Sequence, residues 1–130
     1  VLRQLGSERA MIVHGADGMD ELSVFAKNHV AELKDGAIRE YTLDPADLGL
    51  AQTDRTAVAG GSPQENAARI KSVLEGEKGA ARDIVVLNAA AALVVAGVSD
   101  TIPAGVARVQ KALDSGEAAK KLAELAAFRG

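Results

Sequence analysis

The spacing of hydrophobic residues along this chain divides it into two parts near residue 62. Before that point apolar residues occur in short runs and alternations, beginning with the run at residues 11–13. This run is too short for a helix and rich in β-branched side chains, so it predicts a buried strand at about residues 10–14. After residue 62 the spacing is typical of helices. The pattern therefore predicts an α/β fold.

A turn signal predicts that the strand is followed by a β-hairpin. Residues 28–33 alternate well enough for a strand, and Asp35-Gly36 follows closely. Asp-Gly is a strong hairpin turn sequence, and residues 37–43 complete the pair. The alternation places two sets of side chains on opposite faces of the last strand. These sets are Ile38, Glu40 and Thr42 on one face, and Arg39, Tyr41 and Leu43 on the other.

Capping signals predict where the helices begin. Asp44-Pro45 indicates a short helix that ends near residue 49, because aspartate is a good N-cap and proline suits the first helical position. Ser62-Pro63, with Glu65 three residues after the serine, predicts a capping box at the start of a longer helix. Three further helices are predicted at residues 80–96, 102–113 and 117–128. Residues 51–60 are predicted to form a loop or a single turn.

The helix at residues 80–96 is apolar nearly all round after Asp83, so we expect it to be central and buried. Asn88 is its only polar side chain beyond that aspartate. A buried amide needs partners, so Asn88 is predicted to cap a neighbouring loop or backbone carbonyl. The other long helices are amphipathic. Their predicted inward residues are Ala67, Ile70, Val73 and Leu74, then Val106, Val109 and Leu113, and finally Leu122, Leu125 and Phe128.

Composition limits the class of protein. The 130 residues are enough for one compact domain, and an apolar fraction of 48% supports a core. A net charge of −3 with mixed signs provides no basic face for nucleic acid, and the absence of cysteine excludes disulfides and thiolate metal sites. No apolar run reaches membrane-spanning length, so a soluble cytoplasmic protein is expected. Residues 1–6 resemble the last turns of a helix closed by Gly6, which suggests a piece of a longer polypeptide.

Candidate chemistry is concentrated directly after the predicted first strand. Asp17, Asp20 and Glu21 crowd into a turn that also contains Gly15 and Gly18. Ligands of open α/β sheets bind outside the carboxyl ends of the strands, and carboxylates suit a hard cation such as Mg²⁺. The competing interpretation is a solvated acidic loop, which is the commoner origin of such turns.

Two further polar features invite a functional interpretation. His14 follows the strand, where a metal or acid–base role is conceivable, but a strand-end histidine held by backbone hydrogen bonds is the expected role. Gly60-Gly61 precedes a helix start, where free backbone N–H groups bind anions in other proteins. The Walker spacing and its lysine are missing, so this second signal is only suggestive.

Several stretches together resemble the anthranilate phosphoribosyltransferase family. The matching pieces are V-H-G-A-D-G-M-D-E-L-S at residues 13–23, V-A-E-L-K-D-G-A-I-R-E-Y-T-L-D-P-A-D-L-G-L at 30–50, G-G-S-P-Q-E-N-A at 60–67, A-R-D-I-V-V-L-N-A-A-A-A-L at 81–93 and D-S-G-E-A at 114–118. They occur in the family's order and spacing and cover essentially the whole chain.

This resemblance implies the C-terminal portion of a phosphoribosyltransferase/nucleoside-phosphorylase-like α/β domain, with one strand, a hairpin and about four helices. Residues 1–130 would form a single domain portion, without the N-terminal helical domain and the Gly-rich loop that binds phosphoribosyl pyrophosphate (PRPP). Such enzymes are glycosyltransferases of tryptophan biosynthesis, homodimeric when complete, that transfer phosphoribosyl from PRPP to the amine of anthranilate and release pyrophosphate. By resemblance, Asp20 and Glu21 bind Mg²⁺ carried by PRPP.

The resemblance has gaps, and alternatives stay open. Many family members have threonines at the positions of Phe25 and Asn28, which leaves the loop after the acidic pair unpredicted. By resemblance, the residues that contact anthranilate lie outside this chain. Because the chain also contains no Gly-rich phosphate loop, it is expected to be inactive alone. One alternative is a non-catalytic or nucleic-acid-binding relative, against which the charge and the acidic pair count. Another is a pyrimidine nucleoside phosphorylase relative, which does not usually carry the D-G-x-D-E-L-S run.

Overall fold

The computed structural model describes residues 1–128, and it has a three-stranded antiparallel sheet followed by helices. The strands are β1 (Ala10–Gly15), β2 (Asn28–Lys34) and β3 (Ala37–Leu43), in the order β1-β2-β3. Two short 3₁₀ helices follow at Pro45–Leu48 and Arg55–Val58. The long helices are α1 (Pro63–Leu74), α2 (Ala80–Val95), α3 (Ile102–Asp114) and α4 (Glu117–Ala127). The predicted α/β fold, with one strand, a hairpin and four helices, is confirmed.

The hairpin turn has the geometry that its sequence predicts. Asp35 and Gly36 have φ angles of 51° and 75°. Positive φ at both central residues is the type I′ turn, whose twist matches that of the flanking strands. On β3, Tyr41 and Leu43 face the helices and pack against the core, whereas Ile38 on the opposite face is 55% exposed.

The core lies between the inner face of the sheet and the two central helices. α2 contributes the largest share of it, because eight of its residues are buried, as predicted from its apolar sequence. α2 and α3 approach closely where Gly105 meets Ala90. A Cβ atom on Gly105 would lie 2.9 Å from the Ala90 carbonyl oxygen, so this crossing needs glycine. The capping box at Ser62 is also confirmed.

The first six residues form one hydrogen-bonded turn. The Leu5 N–H donates to the Val1 carbonyl oxygen at 3.0 Å, and Gly6 closes the turn with a φ angle of 88°. The sequence predicts the last turns of a helix here. The left-handed glycine that ends the turn agrees with that prediction, but the structure contains only a single turn.

The predicted inward faces of α1 and α4 are partly wrong. In α1, Val73 is buried and Leu74 is partly buried, but Ala67 is exposed and Ile70 is 55% exposed. In α4, Leu122 is partly buried, whereas Leu125 is 69% exposed; the helix ends at Ala127, and Phe128 directly after it is 77% exposed. The reason is tertiary, because no element of the described chain covers these parts of the two helices.

The faces predicted for α3 are confirmed, with Val106 and Leu113 buried and Val109 packed against the core. None of the helices within residues 1–128 combines the length and the apolar character needed to cross a membrane.

Candidate functional site: the acidic turn after β1

The acidic turn lies at the carboxyl end of β1 and is closed at its base by the main chain. The Gly15 N–H donates to the Met19 carbonyl oxygen at 2.9 Å, and the Ala16 N–H donates to the Lys27 carbonyl oxygen at 2.8 Å. Gly18 has a φ angle of 93°, a left-handed conformation that favours glycine. The turn is therefore a compact structure joining β1 to the segment before β2.

Asp17, the first of the three carboxylates, points inward, and both of its carboxylate oxygens have partners within the protein. Its Oδ2 atom accepts a hydrogen bond of 2.7 Å from the Ser23 hydroxyl and pairs with Arg55, while its Oδ1 atom accepts from the Met19 N–H at 3.3 Å. The side chain is only 9% exposed. Burial acts to raise its pKa, but the hydrogen bonds and the Arg55 charge outweigh burial, so the pKa lies below its usual value.

Gly15 makes room for this arrangement. Its φ angle is not in the left-handed region, so conformational freedom is not the reason for glycine here. A Cβ atom at position 15 would lie 2.5 Å from Oδ1 of Asp17 and 3.0 Å from the Cβ atom of Ser23. The close approach of Asp17 over the strand end therefore requires a residue without a side chain.

Asp20 and Glu21 differ from Asp17 because both are exposed. Within residues 1–128 neither carboxylate takes part in an ion pair, and neither side chain has a hydrogen-bond partner. No cluster of three or more metal-binding side chains occurs in this part of the chain. Two accessible oxygen donors fit Mg²⁺, which takes one or two carboxylates and fills its other positions with water and substrate phosphate.

Asn88 of α2 connects the helix to the residue that follows Glu21. Its Oδ1 atom accepts from the Leu22 N–H at 2.9 Å, and its Nδ2 atom donates to the Leu22 carbonyl oxygen at 2.9 Å. Nδ2 also donates to the Ile84 carbonyl oxygen at 3.0 Å, one turn earlier in α2. The predicted capping role is confirmed, although Asn88 is partly rather than fully buried.

Asn28 holds the next residue in the same way. It is completely buried, and its Oδ1 atom accepts from the Ser23 N–H at 2.6 Å while Nδ2 donates to the Ser23 carbonyl oxygen at 2.9 Å. Phe25 packs against the core, with the Arg55 guanidinium 5.5 Å from its ring centre. The loop that the sequence left unpredicted is thus held by contacts of Asn28 and Phe25 themselves.

An open, mostly apolar groove of about 430 Å³ lies beside Glu21. The exposed Ile70 of α1 is one of its lining residues, and Arg69 is another. The groove is also lined by Met19, Val58, Gly60, Asn66, Val73, Leu74, Ala81, Ile84 and Val85. The acidic pair is therefore bordered on one side by an apolar surface that the described chain leaves open.

The helix start at Gly60-Gly61 is occupied by the chain's own side chains. The Gly61 N–H donates to Oδ1 of Asn66 at 3.0 Å, and the Ser62 N–H donates to Oε2 of Glu65 at 2.7 Å. The glutamate also places negative charge where an anion would bind. This arrangement disfavours the suggested anion site.

His14 lies on the outer face of the sheet, directly opposite His29 on β2. Both side chains are exposed. The sequence places no second histidine near His14, but the antiparallel register does. His14 lies near the end of β1 within the backbone ladder to β2, as predicted, and its imidazole has no hydrogen-bond partner within residues 1–128.

Sequence reasoning missed Arg55, which pairs with Asp17 and stacks on Phe25. It lies in a stretch without clear periodicity, 38 residues after Asp17, so no local pattern marks it.

Comparison with known proteins agrees with this architecture. The profile of the "Glycosyl transferase family, a/b domain" matches residues 1–119. The chain is 51% identical over 128 residues to anthranilate phosphoribosyltransferase of Methanococcoides burtonii, covering 98% of this chain and 36% of the relative.

Solved structures give the same result. Anthranilate phosphoribosyltransferase from Thermus thermophilus matches with a TM-score of 0.83 and 40% identity, covering 95% of this chain and 36% of that one. The Saccharomyces cerevisiae enzyme in complex with PRPP and Mg matches with a TM-score of 0.76 and 25% identity, covering 88% of this chain and 33% of that one. The chain thus spans about a third of the length of these relatives. On this sequence and structural agreement, it belongs to the glycosyl transferase family with this a/b domain and is similar to part of the anthranilate phosphoribosyltransferases.

Proposed function

We propose that this chain is part of an anthranilate phosphoribosyltransferase and that Asp20 and Glu21 bind the Mg²⁺ carried by PRPP. The observation that carries the proposal is the difference in environment among the three carboxylates of the acidic turn. Asp17 is engaged in a hydrogen bond with Ser23 and an ion pair with Arg55. Asp20 and Glu21, in contrast, are exposed on a turn whose base is closed by main-chain hydrogen bonds. The similarity to an enzyme described in complex with PRPP and Mg supports the same assignment.

In this reaction the acidic pair has to supply negative charge at a defined position. Mg²⁺, when bound, offsets the negative charge that pyrophosphate gains as its bond to the sugar carbon breaks. Asp20 and Glu21 would hold that charge at a defined place relative to the strand end. No strong base is needed, because an aromatic amine is already unprotonated at neutral pH. The two carboxylates therefore act as ligands and take no part in proton transfer, and positioning dominates the remaining catalysis.

The complete enzyme carries the other functions that we propose. PRPP and anthranilate are its substrates, and its homodimer contact lies in the helical domain that has no counterpart in this chain. We expect it to act in the cytoplasm.

The test is a double variant, Asp20→Asn with Glu21→Gln, made in a polypeptide of the relatives' full length that carries this sequence. It keeps shape and removes charge. We expect kcat/KM for PRPP to fall about tenfold or more, a cost of at least about 1.4 kcal/mol. The Mg²⁺ titration should move to higher concentration. The melting temperature should change little, because exposed acids contribute little to stability.

A matched control neutralises two other exposed acids, Glu40→Gln with Asp47→Asn, which produces the same change in net charge. These residues lie on β3 and the first 3₁₀ helix and are not part of the acidic turn. The control should keep normal kinetics. Normal kinetics and an unchanged Mg²⁺ titration in the folded Asp20/Glu21 variant would refute the metal assignment.

A further inference from the structure

We infer that Asn88 is a positioning residue for the acidic pair, a role that rests on the function proposed above. Asn88 binds both polar groups of Leu22, the residue that follows Glu21 directly. It comes from α2, 66 residues along the chain, so the contact ties the turn to the central helix of the core.

The amide of Asn88 is fixed in a single orientation. Nδ2 donates to both Leu22 and Ile84 carbonyl oxygens, and Oδ1 accepts from the Leu22 N–H. A flipped amide would place its NH₂ group against the Leu22 N–H and its oxygen against two carbonyl oxygens. The hydrogen-bond network therefore defines the position of this peptide unit relative to α2.

The next residue is held independently. Asn28 makes the same pair of hydrogen bonds to Ser23, with distances of 2.6 and 2.9 Å. Leu22 and Ser23 are 1% and 0% exposed. Leu22 and Ser23 are thus hydrogen-bonded by two side-chain amides, one from α2 and one from β2. Both residues follow directly after the two exposed carboxylates.

This arrangement reduces what Mg²⁺ binding must order. A ligand pair on a loose loop loses conformational freedom when it closes on an ion, whereas a pair on an anchored backbone has lost most of it already. Removing the Asn88 contacts should therefore weaken Mg²⁺ binding and leave the step at saturating Mg²⁺ nearly unchanged. The expected signature is a rise in the apparent Mg²⁺ constant and in KM for PRPP with kcat retained.

The experiment compares Asn88→Leu with Arg82→Leu in the full-length polypeptide. Arg82 lies on the same helix and is 2% exposed, donates to the Gly76 carbonyl oxygen at 3.2 Å and pairs with Asp114 at 2.7 Å, so its loss also removes a buried side chain's hydrogen bonds, one of them to the backbone. We expect Asn88→Leu to raise the half-saturating Mg²⁺ concentration at least threefold, with kcat within twofold. Arg82→Leu should lower the melting temperature without moving the Mg²⁺ titration.

A readout without turnover accompanies the kinetics. Hydrogen–deuterium exchange across residues 19–24 should become faster in Asn88→Leu and stay unchanged in Arg82→Leu. If Asn88→Leu does not fold, Asn88→Ala takes its place, because it removes the same three hydrogen bonds with a smaller side chain and adds no charge near the acidic pair. We expect the same direction of change.

The outcomes separate the two proposals. An unchanged titration in the Asn88 variant beside a shifted one in the Asp20/Glu21 variant overturns the positioning role alone. An equal shift in Arg82→Leu overturns it as well, because general destabilisation would then be the cause. An unchanged titration in the Asp20/Glu21 variant overturns the metal assignment in the proposed function, on which the positioning role rests.

Discussion

Three carboxylates within five positions have different environments, and those environments decide what each one can do. Asp17 is held by Ser23, Met19 and Arg55, and it stabilises the turn. Asp20 and Glu21 remain exposed. The same residue type is therefore structural at one position and available for a ligand three positions later.

Asp17 should make the stability of the chain depend on pH. Its pKa is lowered in the folded state, so its contribution is complete above the unfolded value of about 3.9 and is lost as the pH falls through the folded pKa. We expect Asp17→Asn to lower the free energy of unfolding at pH 7 by on the order of 1 kcal/mol. Urea titrations from pH 7 to pH 3 should show the difference from the parent protein shrinking below about pH 4.

Asp47→Asn is the control, because Asp47 is exposed. A difference between the Asp17→Asn variant and the parent protein that stays constant down to pH 3 would contradict the role given to the Asp17 charge.

At the scale of elements, α2 organises the molecule. One part of it packs in the core, Asn88 reaches the acidic turn, and Arg82 bonds to Asp114 at the end of α3 at 2.7 Å. Its close crossing with α3 at Gly105 leaves little room for added volume.

Gly105→Ala tests that crossing. The added methyl would lie 2.9–3.0 Å from the carbonyl oxygen, Cα and Cβ of Ala90, mainly backbone that cannot rotate away. Alanine favours helices, but we expect overpacking to win and to lower the free energy of unfolding by about 1–3 kcal/mol. Ala107→Ser adds one atom on the exposed face of α3 and should lower the free energy of unfolding by only a few tenths of a kcal/mol. An unchanged or raised melting temperature for Gly105→Ala would show that the helices separate freely.

At the scale of the whole molecule, the acidic pair borders an open groove, and the chain spans 36% of its Methanococcoides burtonii relative. Two carboxylates contribute a metal site at most. A phosphorylated sugar needs further donors for its phosphates, and the 130 residues contain no Gly-rich phosphate loop.

We therefore predict that the 130-residue chain alone does not turn over anthranilate and PRPP. The assay follows loss of anthranilate fluorescence, with the chain length verified by intact mass and a polypeptide of the relatives' full length as the positive control. Steady turnover by the verified 130-residue chain would overturn this prediction.

The sequence by itself determined the features whose causes are local. The type I′ turn at Asp35-Gly36, the capping box at Ser62 and the buried α2 follow from backbone preferences and side-chain spacing within a few residues. Recognition of the acidic turn as a candidate site also needed only its composition. The need of Asn88 for a backbone partner followed from the chemistry of an amide in an apolar helix.

Only the tertiary structure decided which partners meet. Spacing shows that a helix has an apolar face but not whether another element covers that face. The exposure of Ile70, Leu125 and Phe128 could therefore not be predicted from spacing. Likewise, Arg55 reaches Asp17 across 38 residues, and Asn88 reaches Leu22 across 66. Such contacts depend on how the elements pack, and that packing turns one acid of the turn inward while two remain exposed.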